Sequence, residues 1–300
     1  MAKKKIGSIA VPYLVTIFIG ILIVGGGTFF LLHYLGIIDG NDQLPEPPKR
    51  QVTTTTYADN HTILLVLDEP DERCNLTFML MRSIPKDKKI IFLGIPTNTI
   101  ALIDGNQESI TDAYQKGGVF SAVSFTEEVF GITVDRYMKF DSSSLVKVCD
   151  ILGGVTYPVS ADIAGFNADG KNQYLNAEQI DTLLTYAAYP DGEYERAYSA
   201  SSIIASMVNQ SNGLRLSDNL DNSFNTIVNM VDTNITAVDY KNHKTAIKSM
   251  LERGTSIANF FIMDGEVAYD EFIPSKKFID DFVSAYYKYD ESENSGENNE

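Results

Sequence analysis

Ile90-Ile91-Phe92-Leu93-Gly94-Ile95-Pro96-Thr97-Asn98-Thr99-Ile100 is the stretch on which the fold turns. Its first six positions are apolar or glycine without polar alternation, the pattern of a strand covered on both faces. Pro96 has no N–H and cannot extend a ladder, so the strand ends there. Thr97, Asn98 and Thr99 then form a polar turn at a strand's carboxyl end, where open α/β sheets hold ligands.

Working outward, Thr62 to Leu67 and Leu76 to Met81 are two more apolar runs of strand length, and Pro85 to Lys89 is a charged turn into the Ile90 strand. Short connections between the three predict a meander. Helical spacing follows. Ser109 to Lys116 stops at Gly117-Gly118, and Val119 to Phe130 stops at Gly131. Ile132 to Phe140 reads as a strand containing Arg136. Asp141 or Ser142 caps a helix with Leu145, Val148, Cys149 and Leu152 on one stripe, ended by Gly153-Gly154. Val155 to Val159 is expected to re-enter the sheet. Asn176 caps a helix through Tyr186, Tyr189 to Gly192 is a turn, and Glu193 to Asn209 is a long helix. Further helices are expected over Asn219 to Val231, Thr245 to Leu251 and Ser275 to Tyr289, with a strand at Phe260 to Met263. Strands and helices mixed without strict alternation predict an α/β protein, an α-β-α sandwich of one domain.

The chain has 300 residues, 44% hydrophobic and 21% charged, which is ordinary for a folded protein. Lys3, Lys4 and Lys5 precede a span, Ile6 to Ile38, with no Asp, Glu, Lys or Arg. At about 1.5 Å per residue it exceeds a hydrocarbon core of about 30 Å. It is also longer than the roughly 7–15 residues of a signal-peptide core, so an uncleaved anchor is the expectation over a cleaved leader. The expected layout is a cytoplasmic N-terminus over 1–8, a single transmembrane helix over 9–38, a Pro- and Thr-rich stalk over 39–60, an extracellular domain over 61–289 and a disordered acidic tail over 290–300. The formal net charge is −16, and −19 without the three leading lysines. Nucleic acid is excluded as a partner because binding it requires a basic footprint.

The chain contains no metal-ligand spacing of His or Cys, no nucleophile elbow and no phosphate-binding loop. What remains is a polar set at expected element ends: Asp68, Glu69, Asp71, Glu72 and Arg73; Thr97 and Asn98; Arg136; Asp191; Glu193, Glu195 and Arg196. The loop opened by Asp68 and Glu69 reads either as a solvated acidic loop or as a Mg²⁺ site, since Mg²⁺ takes carboxylate oxygens and keeps several waters. Arg136 reads either as a site residue or as half of a surface ion pair. Cys149 falls on an apolar stripe and reads as a buried free thiol, although pairing with Cys74 stays open.

Five blocks, in order, carry a resemblance: Thr62-Ile-Leu-Leu-Val-Leu, Gly94-Ile-Pro-Thr-Asn-Thr, Phe130-Gly-Ile-Thr-Val-Asp-Arg-Tyr, Leu145-Val-Lys-Val-Cys-Asp-Ile-Leu-Gly-Gly-Val and Leu175-Asn-Ala-Glu-Gln. Together they resemble the LytR-CpsA-Psr family over roughly Asn60 to Tyr289. The resemblance implies a Gram-positive cell-envelope protein of α-β-α fold. Members transfer a glycopolymer from a polyprenyl pyrophosphate carrier to peptidoglycan, with the lipid tail in an apolar tunnel and arginines with Mg²⁺ holding the pyrophosphate. Phosphoryl transfer of that kind rests on positioning and charge neutralisation.

The departures fall on charged positions. The family's Ile-Pro-Arg-Asp is here Ile95-Pro96-Thr97-Asn98, its arginine pair falls near Ala187 and Tyr189, and its Arg-x-x-Arg-Gln retains Arg196 but has Ser199 and Ala200. Asp68 or Glu69 matches one metal-binding carboxylate, and Asn75 stands at the other. The resemblance therefore assigns Arg196 and Arg136 as the candidate catalytic residues, Thr97, Asn98 and Asp191 as substrate-binding, and Asp68 and Glu69 as metal-binding. Two functions are expected: a transferase with weakened or lost catalysis, or a non-catalytic scaffold or regulator that binds a polyprenyl lipid, a wall polymer or a protein.

Overall fold

A computed structural model describes residues 55–68, 76–103, 105–159, 162–252 and 256–287. The anchor expected over 9–38, most of the stalk, the acidic tail, and Glu69 and Asn75 lie outside the described residues. Among the described residues no helix is long and apolar enough to cross a membrane.

The three apolar runs form the expected meander. β1 (His61–Leu67) pairs antiparallel with β2 (Thr77–Ile84), which pairs antiparallel with β3 (Lys89–Ile95). Side chains alternate in and out of the two faces, and both faces are covered. Leu64, Val66, Phe78, Leu80, Ile91, Leu93 and Ile95 pack with Ala122, Phe125 and Phe130 of α1 (Ile110–Phe130). Leu67, Met79 and Phe92 belong to the opposite core, with Leu145 and Cys149 of α2 (Ser142–Leu152), Leu183 of α3 (Ala177–Thr185) and Ala200 and Ile203 of α4 (Gly192–Gln210). Each fully buried large apolar side chain contributes about 1.5–3 kcal/mol. The expected α-β-α layering follows from this two-sided burial.

Small polar residues start the helices. Ser109, Asp141 and Asn176 each accept from the backbone N–H three residues on, closing capping boxes on α1, α2 and α3. The expected break in α1 is a kink, with Gly118 at φ +67° between two helical pieces.

Four strands run the same way. β6 (Arg136–Phe140) lies parallel to β1, and β10 (Ala258–Ile262) parallel to β3, giving the order β10-β3-β2-β1-β6-β9 with β9 (Asp232–Thr233) at the edge. The carboxyl ends of β1, β3, β6 and β10 therefore share one edge of the sheet.

Several expectations are corrected. The stretch Val155–Pro158 (β7) does not re-enter the sheet; it pairs with Asn172–Leu175 (β8) as a separate hairpin. The helix expected over Asn219 to Val231 is the shorter α6 (Leu220–Val228), preceded by an unforeseen short helix, α5 (Gly213–Asp218), and the next, α7 (Ala237–Leu251), starts eight residues before the expected Thr245 because Thr236 caps it with Asp239. Two hairpins were not foreseen: β4 (Ile100–Ile103) with β5 (Asn106–Ser109), and β11 (Gly265–Ala268) with β12 (Glu271–Pro274). Their four-residue strands are too short for alternation to mark them. Ser275 caps the last helix, α8 (Lys276–Tyr286).

Candidate functional site

β3 ends at Pro96 as its sequence requires, and the turn that follows is closed by Thr99. The backbone N–H and Oγ1 of buried Thr99 both donate to the Pro96 carbonyl, at 3.0 and 2.6 Å. Three other elements grip the turn. Thr111 Oγ1 of α1 donates to the Thr97 carbonyl at 2.7 Å, Asn98 Nδ2 donates to the Asp270 carbonyl at 2.7 Å, and the Phe272 N–H donates to the Asn98 carbonyl at 2.9 Å. Asn98 Oδ1 is buried without a hydrogen-bond partner.

The start of α4 meets this turn because Gly94 lets it. A side chain at Gly94 would run into the backbone carbonyl of Ala197, so the glycine allows helix and strand to touch along their backbones. Arg196, 4% exposed, is thereby set beside Thr97. Its guanidinium forms an ion pair with Glu193 one turn earlier and donates to Thr97 Oγ1 at 3.3 Å, while the Thr97 hydroxyl donates to the same Glu193 oxygen. Thr97, Glu193 and Arg196 make a closed triad. Glu193 stood in the polar set read from sequence, and its i,i+3 spacing from Arg196 is the signal that pairs them.

Asp191 precedes this helix, exposed, and its side chain makes no cap; its N–H instead donates to Glu195 at 3.0 Å. Tyr189, near an arginine position of the family pattern, is buried with its hydroxyl donating to the Leu183 carbonyl at 2.9 Å, and burial pushes the phenol pKa up to about 12. It borders a recess of about 60 Å³ shared with Tyr157, Leu183, Tyr198 and Ile203.

Asp68 extends β1 at the same edge, two strands from Thr97, which corresponds to about 10 Å at the usual strand spacing. Its Oδ2 accepts from the Tyr114 hydroxyl at 2.5 Å and from Lys139 Nζ at 3.4 Å. Burial, then the bond to Asp68, pushes the Tyr114 phenol well above its ordinary range. Among the described residues no group of three or more His, Cys, Asp or Glu side chains could hold a metal ion. Within the described residues Asp68 is the one carboxylate of the expected acidic loop, and it faces the Lys139 ammonium; Glu69, Asp71 and Glu72 lie outside them.

Arg136 is not part of this edge. It opens β6 beside Ile63, at the amino end of the parallel strands, and is held by Asp239 through Nε at 2.9 Å and a second, shorter contact. That pairing raises the Arg136 pKa and holds the Asp239 carboxyl well below the usual carboxylate range. Sequence reasoning missed the cleft beside the turn, which measures about 320 Å³ and is lined by Thr97, Asn98, Gln107, Glu108, Asp112 and Glu271 among others. Half of that lining comes from the unforeseen hairpins.

Known proteins share this architecture. The chain is similar to the polyisoprenyl-teichoic acid–peptidoglycan teichoic acid transferase TagU of Bacillus licheniformis, which is 27% identical over 261 residues covering 79% of this chain and 82% of the relative. A crystal structure from Eubacterium siraeum, described as a putative transcription regulator, superposes with a TM-score of 0.69 at 22% identity, covering 81% of this chain and 98% of that one. The structure described as TagT bound to LIIa-WTA superposes with a TM-score of 0.61 at 17% identity, covering 77% and 90%. The two structural likenesses show a shared fold. The sequence pattern of the LytR_cpsA_psr family matches residues 40–285, and the chain belongs to that family.

Proposed function

We propose that this chain is a membrane-anchored cell-envelope protein that binds a polyprenyl-linked glycan and has weak or no activity in transferring it to peptidoglycan. The observation that carries the reading is the Thr97–Glu193–Arg196 triad. Stabilising a pyrophosphate in transfer needs donors aimed at developing negative charge. Arg196 is instead already neutralised by Glu193, and Thr97 and Asn98 bring no charge. The envelope setting is supported by family membership and by the TagU relative, and the anchor over 9–38 with an outward-facing domain is part of the proposal.

The test is to incubate the full chain with Mg²⁺ and a polyprenyl-pyrophosphate-linked glycan, measuring both released polyprenyl phosphate and the shift in melting temperature. Binding that raises the melting temperature, with no release, is the expected result. The second reading, an active transferase, is favoured by the enzyme name of the TagU relative. Release by wild type that is lost in Arg196→Ala would establish it and overturn the first.

A further inference from the structure

β10 (Ala258–Ile262) ends one side of the six-stranded sheet, and among the described residues only β3 pairs with it. In a parallel ladder the residues of a strand turn their N–H and C=O alternately toward and away from the neighbour. The register, Ala258 opposite Ile90, fixes which do so here. The Ile90 N–H donates to the Ile257 carbonyl at 2.8 Å, and the Met263 N–H donates to the Gly94 carbonyl at 3.2 Å. Ile257, Asn259, Phe261 and Met263 therefore turn their backbone groups to β3, and Ala258, Phe260 and Ile262 turn theirs out of the sheet.

Of these three, Ala258 is paired. Asn209, near the end of α4, donates from Nδ2 to its carbonyl at 2.9 Å and accepts from its N–H through Oδ1 at 2.8 Å. A side-chain amide thus stands where a further strand would. Among the described residues no backbone or side-chain group bonds the outward N–H and C=O of Phe260 or Ile262.

Proteins usually blunt such an edge with lysine, proline, a bulge or a covering loop. Ile257 to Met263 contains no charged residue, no proline and no glycine. In a chain of formal net charge −16, it is a strip on which two copies can meet without like charges face to face. It also leaves aromatic surface uncovered: Phe260 is 38% exposed, and Tyr198 of α4, edge-on to it at 5.5 Å, is 44% exposed.

The free groups select one register. In a two-fold contact, residue i of one copy meets residue j of the other and j meets i. With the axis at Phe261, Phe260 of each copy stands opposite Ile262 of the other, and each such pair exchanges both of its backbone hydrogen bonds. Every free group of the edge is then used. An axis at Phe260 would set Ile262 against Ala258, which Asn209 already holds. An axis at Ile262 would set Phe260 against Asp264, whose carbonyl already accepts from the Ser275 N–H. The favoured register also brings Phe261 against Phe261 and Phe260 against Ile262, the aromatic and β-branched cross-strand pairs that stabilise sheets.

We propose that β10 is a homodimerisation edge, pairing antiparallel with β10 of a second copy about a two-fold axis at Phe261 and joining the two sheets into one. The pairing is independent of the function proposed above.

The full chain in detergent is followed by sedimentation velocity over about a hundredfold range of concentration, where a reversible monomer–dimer equilibrium is expected. Phe260→Lys, which adds a charge to the edge, should weaken the dimer at least about tenfold with the melting temperature of the monomer unchanged. Oxidation with copper phenanthroline reads the register. Phe261→Cys sets two thiols face to face across a non-hydrogen-bonded pair, with Cα atoms about 4.5 Å apart, and should give a disulfide-linked dimer. Asn259→Cys puts its thiols out of register and should not, and wild type, which carries Cys74 and Cys149, sets the background. A wild type that is monomeric throughout would overturn the proposal and leave the edge to an extended segment of another protein. A dimer that Phe260→Lys leaves equally tight, or oxidation that joins Asn259→Cys as readily as Phe261→Cys, would overturn it too. Should Phe261→Cys unfold through its lost contacts with Phe282 and Tyr286, the sedimentation of Phe260→Lys decides alone.

Discussion

Gly94 of β3 faces the carbonyl of Ala197 so closely that the two backbones leave no room for a methyl group between them. That contact sets the depth at which α4 lies on the sheet, and so sets Arg196, one residue earlier, against Thr97. Gly94→Ala must push helix and strand apart. We expect a loss of about 1–3 kcal/mol, the range for overpacking a filled core, read from urea denaturation. The Thr97–Arg196 hydrogen bond should be lost with it.

Glu193 neutralises Arg196, so the two residues should behave oppositely toward anions. Glu193→Gln should tighten binding of inorganic pyrophosphate or a polyprenyl phosphate several-fold, because it releases a buried guanidinium. Arg196→Ala should abolish it. Both variants should lose about 1–3 kcal/mol of stability, since each leaves a partly buried partner without its hydrogen bond. Calorimetric titration and denaturation of the same samples check both statements, and equal anion affinity in wild type and Glu193→Gln would contradict the first.

Acid should find two weak points at the amino edge of the sheet. The rings of His61 and His243 meet at a tilt of 54° with centroids 4.3 Å apart, and burial, then the neighbouring His61, lowers the His243 pKa from 6.5. Asp59, Asp135 and Asp239 oppose that shift without reversing it. A histidine harder to protonate when folded contributes stability above its unfolded value and loses it as pH falls below about 6.5. Asp239, depressed chiefly by Arg136, contributes stability above the ordinary carboxylate pKa and loses it progressively as pH falls below about 4 toward its depressed folded value. The melting temperature of wild type should therefore fall below pH 6.5, with His243→Gln flattening that step, and fall again below pH 4, with Asp239→Asn flattening the second.

Cys149 is a free, fully buried thiol, and burial together with Asp181 and Asp150 pushes its pKa up to about 12. Thiolate is the reactive form. At pH 8, iodoacetamide should leave the peptide carrying Cys149 unlabelled in the native protein and label it fully in denaturant, as mass spectrometry can read.

What could be read from the residues divides along a physical line. The meander, the kink after Lys116, the Asn176 cap and the buried Cys149 were legible because each is local: a run of apolar residues, a glycine pair, a capping side chain, a stripe. The end of β3 as the place of the candidate site was legible for the same reason. Val155–Pro158 was assigned to the wrong sheet because a four-residue strand carries no mark of its partner. Arg136 was ambiguous because its partner, Asp239, lies 103 positions away, and nothing in the local sequence joins them. The cleft escaped notice because Gln107 and Glu271 are 164 positions apart and lie in hairpins too short to show a period.

The direction of β1 has one more consequence. The described chain enters the sheet at His61, and the Thr97 turn lies at the far end of strands seven residues long, about 23 Å away at the usual rise per residue. A probe attached at the amino end of β1 therefore reports on the sheet from a full strand length away, without crowding the Thr97 turn.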